Sequence, residues 1–224
     1  MRAGRANLGH VEGIIVLAFA VAGAGIGLGT ALLLARAGFP PSRLWCVVGT
    51  AVSCGFVAWR WASGGWPWWW LPTGCVVAVL AVPLVVTDLR VRRLPDVLTL
   101  PAYPLAAVAL GLAAAFGPGA GLAVRATVGA VVFGGAHFAI RAWSPGSLGA
   151  GDVKLSGALG AVLGAAGWAA LPVAAVLAAF ATAMLAAGAA LCRWRGWRDG
   201  VPHGPGLVAA VCLVTAWPAL GMGT

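Results

Sequence analysis

The chain has 224 residues, of which 62% are hydrophobic and only 8% charged, with 34 glycines and a formal net charge of +9. This composition excludes an ordinary soluble domain and a disordered chain alike. The positive charge does not point to nucleic acid, because the arginines collect at the ends of apolar runs, where they set membrane topology.

The N-terminal segment carries Arg2 and Arg5 before an apolar run over about 14–35. That run is of spanning length rather than the shorter core of a secretory signal, and no small-x-small cleavage site followed by polar sequence is visible. It reads as a retained first helix. Further apolar runs follow at about 44–59, 70–87, 97–115, 122–140, 155–171, 173–192 and 204–221. The expected fold is therefore all-α, a polytopic membrane protein of about eight transmembrane helices, one membrane domain over 1–224. The sixth and seventh runs are divided only around Leu171-Pro172. A tight hairpin there, with proline at a helix start, is one reading. A single long kinked helix is the other, and it would reverse every element downstream.

The tryptophans from Trp59 to Trp70 read as an interfacial aromatic belt, in preference to a stacking platform for a ligand. The five cysteines, Cys46, Cys54, Cys75, Cys192 and Cys212, lie in or beside apolar segments with no Cys-x-x-Cys pair. Neither a zinc site nor a disulfide framework is expected from them.

Eight spans would place loops 36–43, 88–96, 141–154 and 193–203 on one side. That side would hold Arg36, Arg43, Arg90, Arg92, Arg93, Arg141, Lys154, Arg193, Arg195 and Arg198. Only Arg2, Arg5, Arg60 and Arg125 fall opposite. The asymmetry predicts that the first set of loops faces the cytoplasm, although Arg2 and Arg5 argue against an outside N-terminus.

Five carboxylates occur in the whole chain. Glu12 and Asp199 sit in polar surroundings that solvate them. The other three lie in two islands between apolar runs, Thr87-Asp88-Leu89-Arg90-Val91-Arg92-Arg93-Leu94-Pro95-Asp96 and Gly149-Ala150-Gly151-Asp152-Val153-Lys154. An acid kept beside a bilayer marks a functional site by default. Asp88 ends the third run and Asp152 precedes the sixth, so both belong at one depth and on one face. Two carboxylates brought close cannot both ionise easily, and such a pair can share a proton. One then accepts a proton from water while its neutral partner hydrogen-bonds a carbonyl, which is the division of labour needed to hydrolyse an amide without a metal. Gly149 and Gly151 offer a backbone free of side-chain bulk beside the acid and dihedrals closed to other residues. Lys154 reads as a headgroup anchor, with electrostatic tuning of Asp152 as the alternative. Asp96, after Pro95, fits a helix N-cap rather than a catalytic position.

The segment from Asp88 through Pro95-Asp96 to Pro101 resembles the first block of the type IV prepilin peptidases. Gly149-Ala150-Gly151-Asp152-Val153-Lys154 resembles their Gly-x-Gly-Asp-x-Lys block. His203-Gly204-Pro205-Gly206 is similar to the Gly-Pro turn that opens the family's last helix. The likeness covers about residues 70–220. It implies an aspartic endopeptidase of the inner membrane, free of metal and cofactor, with Asp88 and Asp152 as catalytic pair. The implied substrate is a prepilin or pseudopilin, whose basic leader is removed at the cytoplasmic face after a glycine. Membrane lipid is the other expected partner, and nucleic acid is not expected. Many bacterial members add a zinc-binding Cys-x-x-Cys domain associated with N-methylation, which the short 36–43 loop has no room for. Proteolysis without N-methylation, and without S-adenosylmethionine, is therefore expected. A proton- or cation-coupled transporter using the same acids is the competing class, although transport sites usually lie near the membrane midplane.

Overall fold

The computed structural model describes residues 2–193 and 201–217, with side-chain environments from residue 9 onward. Eight α-helices and one short 3-10 turn make up the ordered elements, with no strand among the described residues. They are α1 (Arg2–Arg36), α2 (Arg43–Ala62), the turn Trp68–Trp70, α3 (Leu71–Val91), α4 (Asp96–Phe116), α5 (Ala120–Trp143), α6 (Ala150–Ala166), α7 (Ala170–Leu191) and α8 (Gly204–Ala216). The chain is thus an all-α, multi-pass membrane protein.

Six of the helices are long and apolar enough to cross a bilayer, namely α1 to α5 and α7. The other two are shorter than expected, 17 residues for α6 and 13 for α8. Both are enclosed by their neighbours: α6 is buried at twelve positions and α8 at ten. The lipid-facing perimeter falls to the long helices. Ile14, Leu17 and Val21 of α1 and Val131 and Val132 of α5 are exposed there, as expected for helices solvated by hydrocarbon.

The hairpin alternative holds between α6 and α7, but the break lies earlier than Leu171-Pro172. Gly167 ends α6 with φ 147° and ψ 161°, a conformation open essentially to glycine alone. Pro172 falls inside the first turn of α7, where its missing N–H costs no helical bond.

Glycines allow a close contact between α5 and α6. A Cβ on Gly129 of α5 would lie 2.7 Å from Gly164 Cα, and one on Gly160 would lie 2.5 Å from Gly129 O. Backbone thus meets backbone between α5 and α6, the packing that small residues allow in membranes.

The tryptophan-rich segment is divided rather than uniformly interfacial. Trp59 and Trp68 are exposed, as a belt requires, whereas Trp66 and Trp70 are buried. Trp66 Nε1 donates to Ala216 O at 3.3 Å, tying the end of α8 to the start of α3. Arg195 and Arg198, which entered the topology argument, and the acid Asp199 lie outside the described residues, as does the end of the 204–221 run.

Candidate active site

Three helix ends converge on one point. The first is the last turn of α3, which carries Asp88. The chain leaves α3 through Arg92 in the left-handed conformation (φ 52°), whose N–H donates to Asp88 O at 2.8 Å. This sharp exit sends Arg93, Leu94 and Pro95 directly into α4.

The second end is the start of α6. Gly149 is the N-cap and Asp152 the third helical residue, the position from which an acidic side chain reaches back toward the N-cap amide in a capping box. The two island glycines act by close approach and not through unusual dihedrals. Gly149 has φ −63° and ψ 145°, which any residue adopts. A Cβ on Gly149 would meet Asp152 Oδ2 at 2.9 Å, and one on Gly151 would meet Leu94 Cβ at 2.6 Å. Gly151 therefore lets α6 dock against the 92–95 exit from α3, which brings the two acids together.

The third end is the start of α8. Gly204 is so close to both acids that an added Cβ would lie 2.5 Å from Asp88 Oδ2 and 3.2 Å from Asp152 Oδ1. These two oxygens therefore cannot be further apart than the sum of those distances. Asp88 is 4% exposed and Asp152 6%. The same two oxygens, Asp88 Oδ2 and Asp152 Oδ1, are buried without a hydrogen-bond partner among the described residues. Burial pushes Asp152 up to about 6, against the opposing pull of the Gly149 backbone amide.

The remaining island residues take different places from those expected. Asp96 is the first residue of α4, and Pro95 holds the N-cap position. The Asp96 carboxylate instead receives the Lys154 ammonium at 2.7 and 2.9 Å. Lys154 thus pairs with Asp96 and not with Asp152, and it clips α6 to α4. Tyr103 of α4 adds to that clip by donating to Lys154 O at 2.6 Å.

A cavity of about 490 Å³ opens onto the acids, lined among others by Phe39, Asp88, Arg92, Arg93, Asp96, Gly149, Asp152 and Lys154. A second opening of about 480 Å³ reaches the same two acids past Arg92, Val201 and His203. Among the described residues, no three His, Cys, Asp or Glu side chains cluster closely enough to hold a metal ion. The arrangement offers a pair of buried carboxyl groups facing each other, open to a peptide-sized space. Gly204 was not singled out from the residues alone. Its only signal was the Gly-Pro-Gly run at the head of an apolar segment.

A profile described as the type IV leader peptidase family matches residues 75–187, which include Asp88, Asp96 and Asp152. No curated protein and no solved structure matches the chain.

Proposed function

Because the chain belongs to the type IV leader peptidase family, and so is a peptidase, we propose that it is an aspartic endopeptidase in which Asp88 and Asp152 activate water together. The observation that carries this reading is the convergence on the Gly204 backbone of two carboxylate oxygens that have no hydrogen-bond partner among the described residues. Two buried acids at that distance favour a state holding one proton between them. The ionised member takes a proton from water as the oxygen attacks the scissile carbonyl, while the protonated member donates to the carbonyl oxygen. The resulting diol collapses as a proton passes to the departing amine, leaving a free carboxyl group and a free N-terminus. Acid and base belong to the pair and are not divided between residues.

The substrate class follows from the family and from the surroundings of the pair. We assign a prepilin or pseudopilin, cut between its basic leader and its apolar helix. The basic loops beside the acids support a cytoplasmic-facing site in the inner membrane. Arg92 and Arg93 line both openings and are suited to anionic headgroups rather than to a basic leader. The roles of Gly149 and Gly151 are to admit backbone beside Asp152 and Leu94. The residues 70–220 would form the catalytic core, and no N-methyltransferase activity is assigned.

The test is co-expression with a prepilin encoded near this chain, read as the mobility shift on leader removal. Asp88→Asn and Asp152→Asn should each abolish the shift while the protein remains in the membrane. Full processing by either variant would overturn the assignment.

A further inference from the structure

We infer that His203 is a positioning residue for peptide cleavage, clasped by Thr182 so that the first turn of α8 is held against the two acids. This rests on the reading of Asp88 and Asp152 as the catalytic pair.

His203 is the N-cap of α8 and immediately precedes Gly204. Its Nδ1 lies 2.8 Å from Thr182 Oγ1 in the middle of α7. The Thr182 hydroxyl has a single proton, and it donates that proton to Ala178 O at 2.8 Å. Toward His203 it can therefore only accept. The imidazole must carry its hydrogen on Nδ1, with the lone pair on Nε2. Burial and the neighbouring His137, whose ring centroid is 6.2 Å away, hold His203 below the ordinary imidazole range, which keeps this neutral tautomer at neutral pH.

One turn further on, a Cβ on Gly206 would lie 2.6 Å from Thr182 Oγ1 and 2.8 Å from Ala178 O. The hydroxyl thus touches α8 at two successive points. The His203 carbonyl meanwhile accepts the Leu207 N–H at 3.0 Å, closing the first helical turn. Between these fixed points sits Gly204, with no side chain of its own to set its place beside Asp88 and Asp152. Its position is set by the clasp.

The experiment uses the full chain in detergent with a purified prepilin, comparing His203→Phe, His203→Asn, Thr182→Val and Thr182→Ser. Asparagine keeps an N–H near the Nδ1 position and serine keeps the hydroxyl. His203→Phe and Thr182→Val should lower kcat by about tenfold to a hundredfold, the scale of a small misplacement of reacting groups, with KM little changed. The Asn and Ser variants should recover most of the rate. The Phe/Val double variant should be no slower than the worse single one, since both break one bond. Thermal unfolding of each variant separates misplacement from loss of fold. Wild-type kcat in His203→Phe, or equal loss in the Phe and Asn variants, overturns the clasp while leaving the catalytic pair intact. Activity in Asp88→Asn and Asp152→Asn removes the pair itself, and with it anything for His203 to position.

Discussion

Lys154 Nζ lies 2.7 Å from Asp96 Oδ1, an ion pair between two residues 58 positions apart that joins the first turn of α4 to the second turn of α6. Both side chains are about half exposed, at 46% and 57%, so solvent screening leaves the pair little weight in global stability. Its effect is local, on the angle at which α6 presents Asp152. Asp96→Asn and Lys154→Gln should each slow leader cleavage only several-fold, roughly 1 kcal/mol in the barrier. The double variant should match the worse single one in a mutant cycle. Complete inactivity of Asp96→Asn, equal to that of Asp88→Asn, would transfer the first catalytic position to Asp96.

Gly204 admits no side chain without moving a carboxyl group. A methyl group on its Cα would overlap Asp88 Oδ2. The Asp88 side chain can swing aside more cheaply than α8 can unpack. Gly204→Ala is therefore expected to yield folded, membrane-inserted protein with processing reduced about a hundredfold or more. Comparing processing with the thermal midpoint checks this, since the two should separate.

Burying Asp152 costs stability at neutral pH. Its folded-state value is raised from the ordinary 3.8 to about 6. The folded chain therefore retains the proton over a range where the unfolded chain has lost it. The associated stability is fully present below pH 3.8 and is lost as pH rises through about 6. Asp152→Asn removes that loss. It should be more stable than the wild type near neutral pH by up to about 3 kcal/mol, with the gap closing below about pH 4. Unfolding followed across pH in one detergent measures it, and a gap that widened on acidification would contradict the assignment. The inactive variant would then be the sturdier one, a familiar opposition between function and stability.

The α5–α6 contact tolerates no added bulk. In Gly164→Leu the new side chain would begin 2.9 Å from Gly129 Cα. Forcing the helices apart should cost about 1–3 kcal/mol and displace the Asp152 end of α6. Reduced membrane accumulation, together with lost processing, is the expected outcome. Gly135, which has open space around its Cα, provides the control.

Asp88 and Asp152 are legible in the sequence because an acid is conspicuous among apolar runs, whatever the fold around it. What surrounds them was less legible, for physical reasons. Lys154 was read by its neighbours in the chain, but its partner Asp96 comes from another helix. The burial of Trp66 and Trp70 depends on the way α8 returns beside α3, and indole suits an interface and a core equally well. Pro172 marks a helix start, as a first turn accommodates proline, and it does lie in the first turn of α7. The reversal itself is made five residues earlier by the backbone of Gly167, which has no side chain to signal it. Gly204 had no side chain to announce itself. Its importance comes wholly from what two other helices place against it.

The brevity of α8 has a consequence for any polypeptide that is to be cut. Thirteen residues rise about 20 Å, against a hydrocarbon thickness of about 30 Å. With Ala216 tethered to Trp66 at the far end, α8 alone is too short to cross that thickness, and it is packed among longer helices instead of standing in lipid. The two acids beside its head are 4% and 6% exposed, enclosed by protein. A scissile bond that reaches them on the proposed reading arrives as unwound chain, and its freed amides must find their hydrogen bonds on the enzyme.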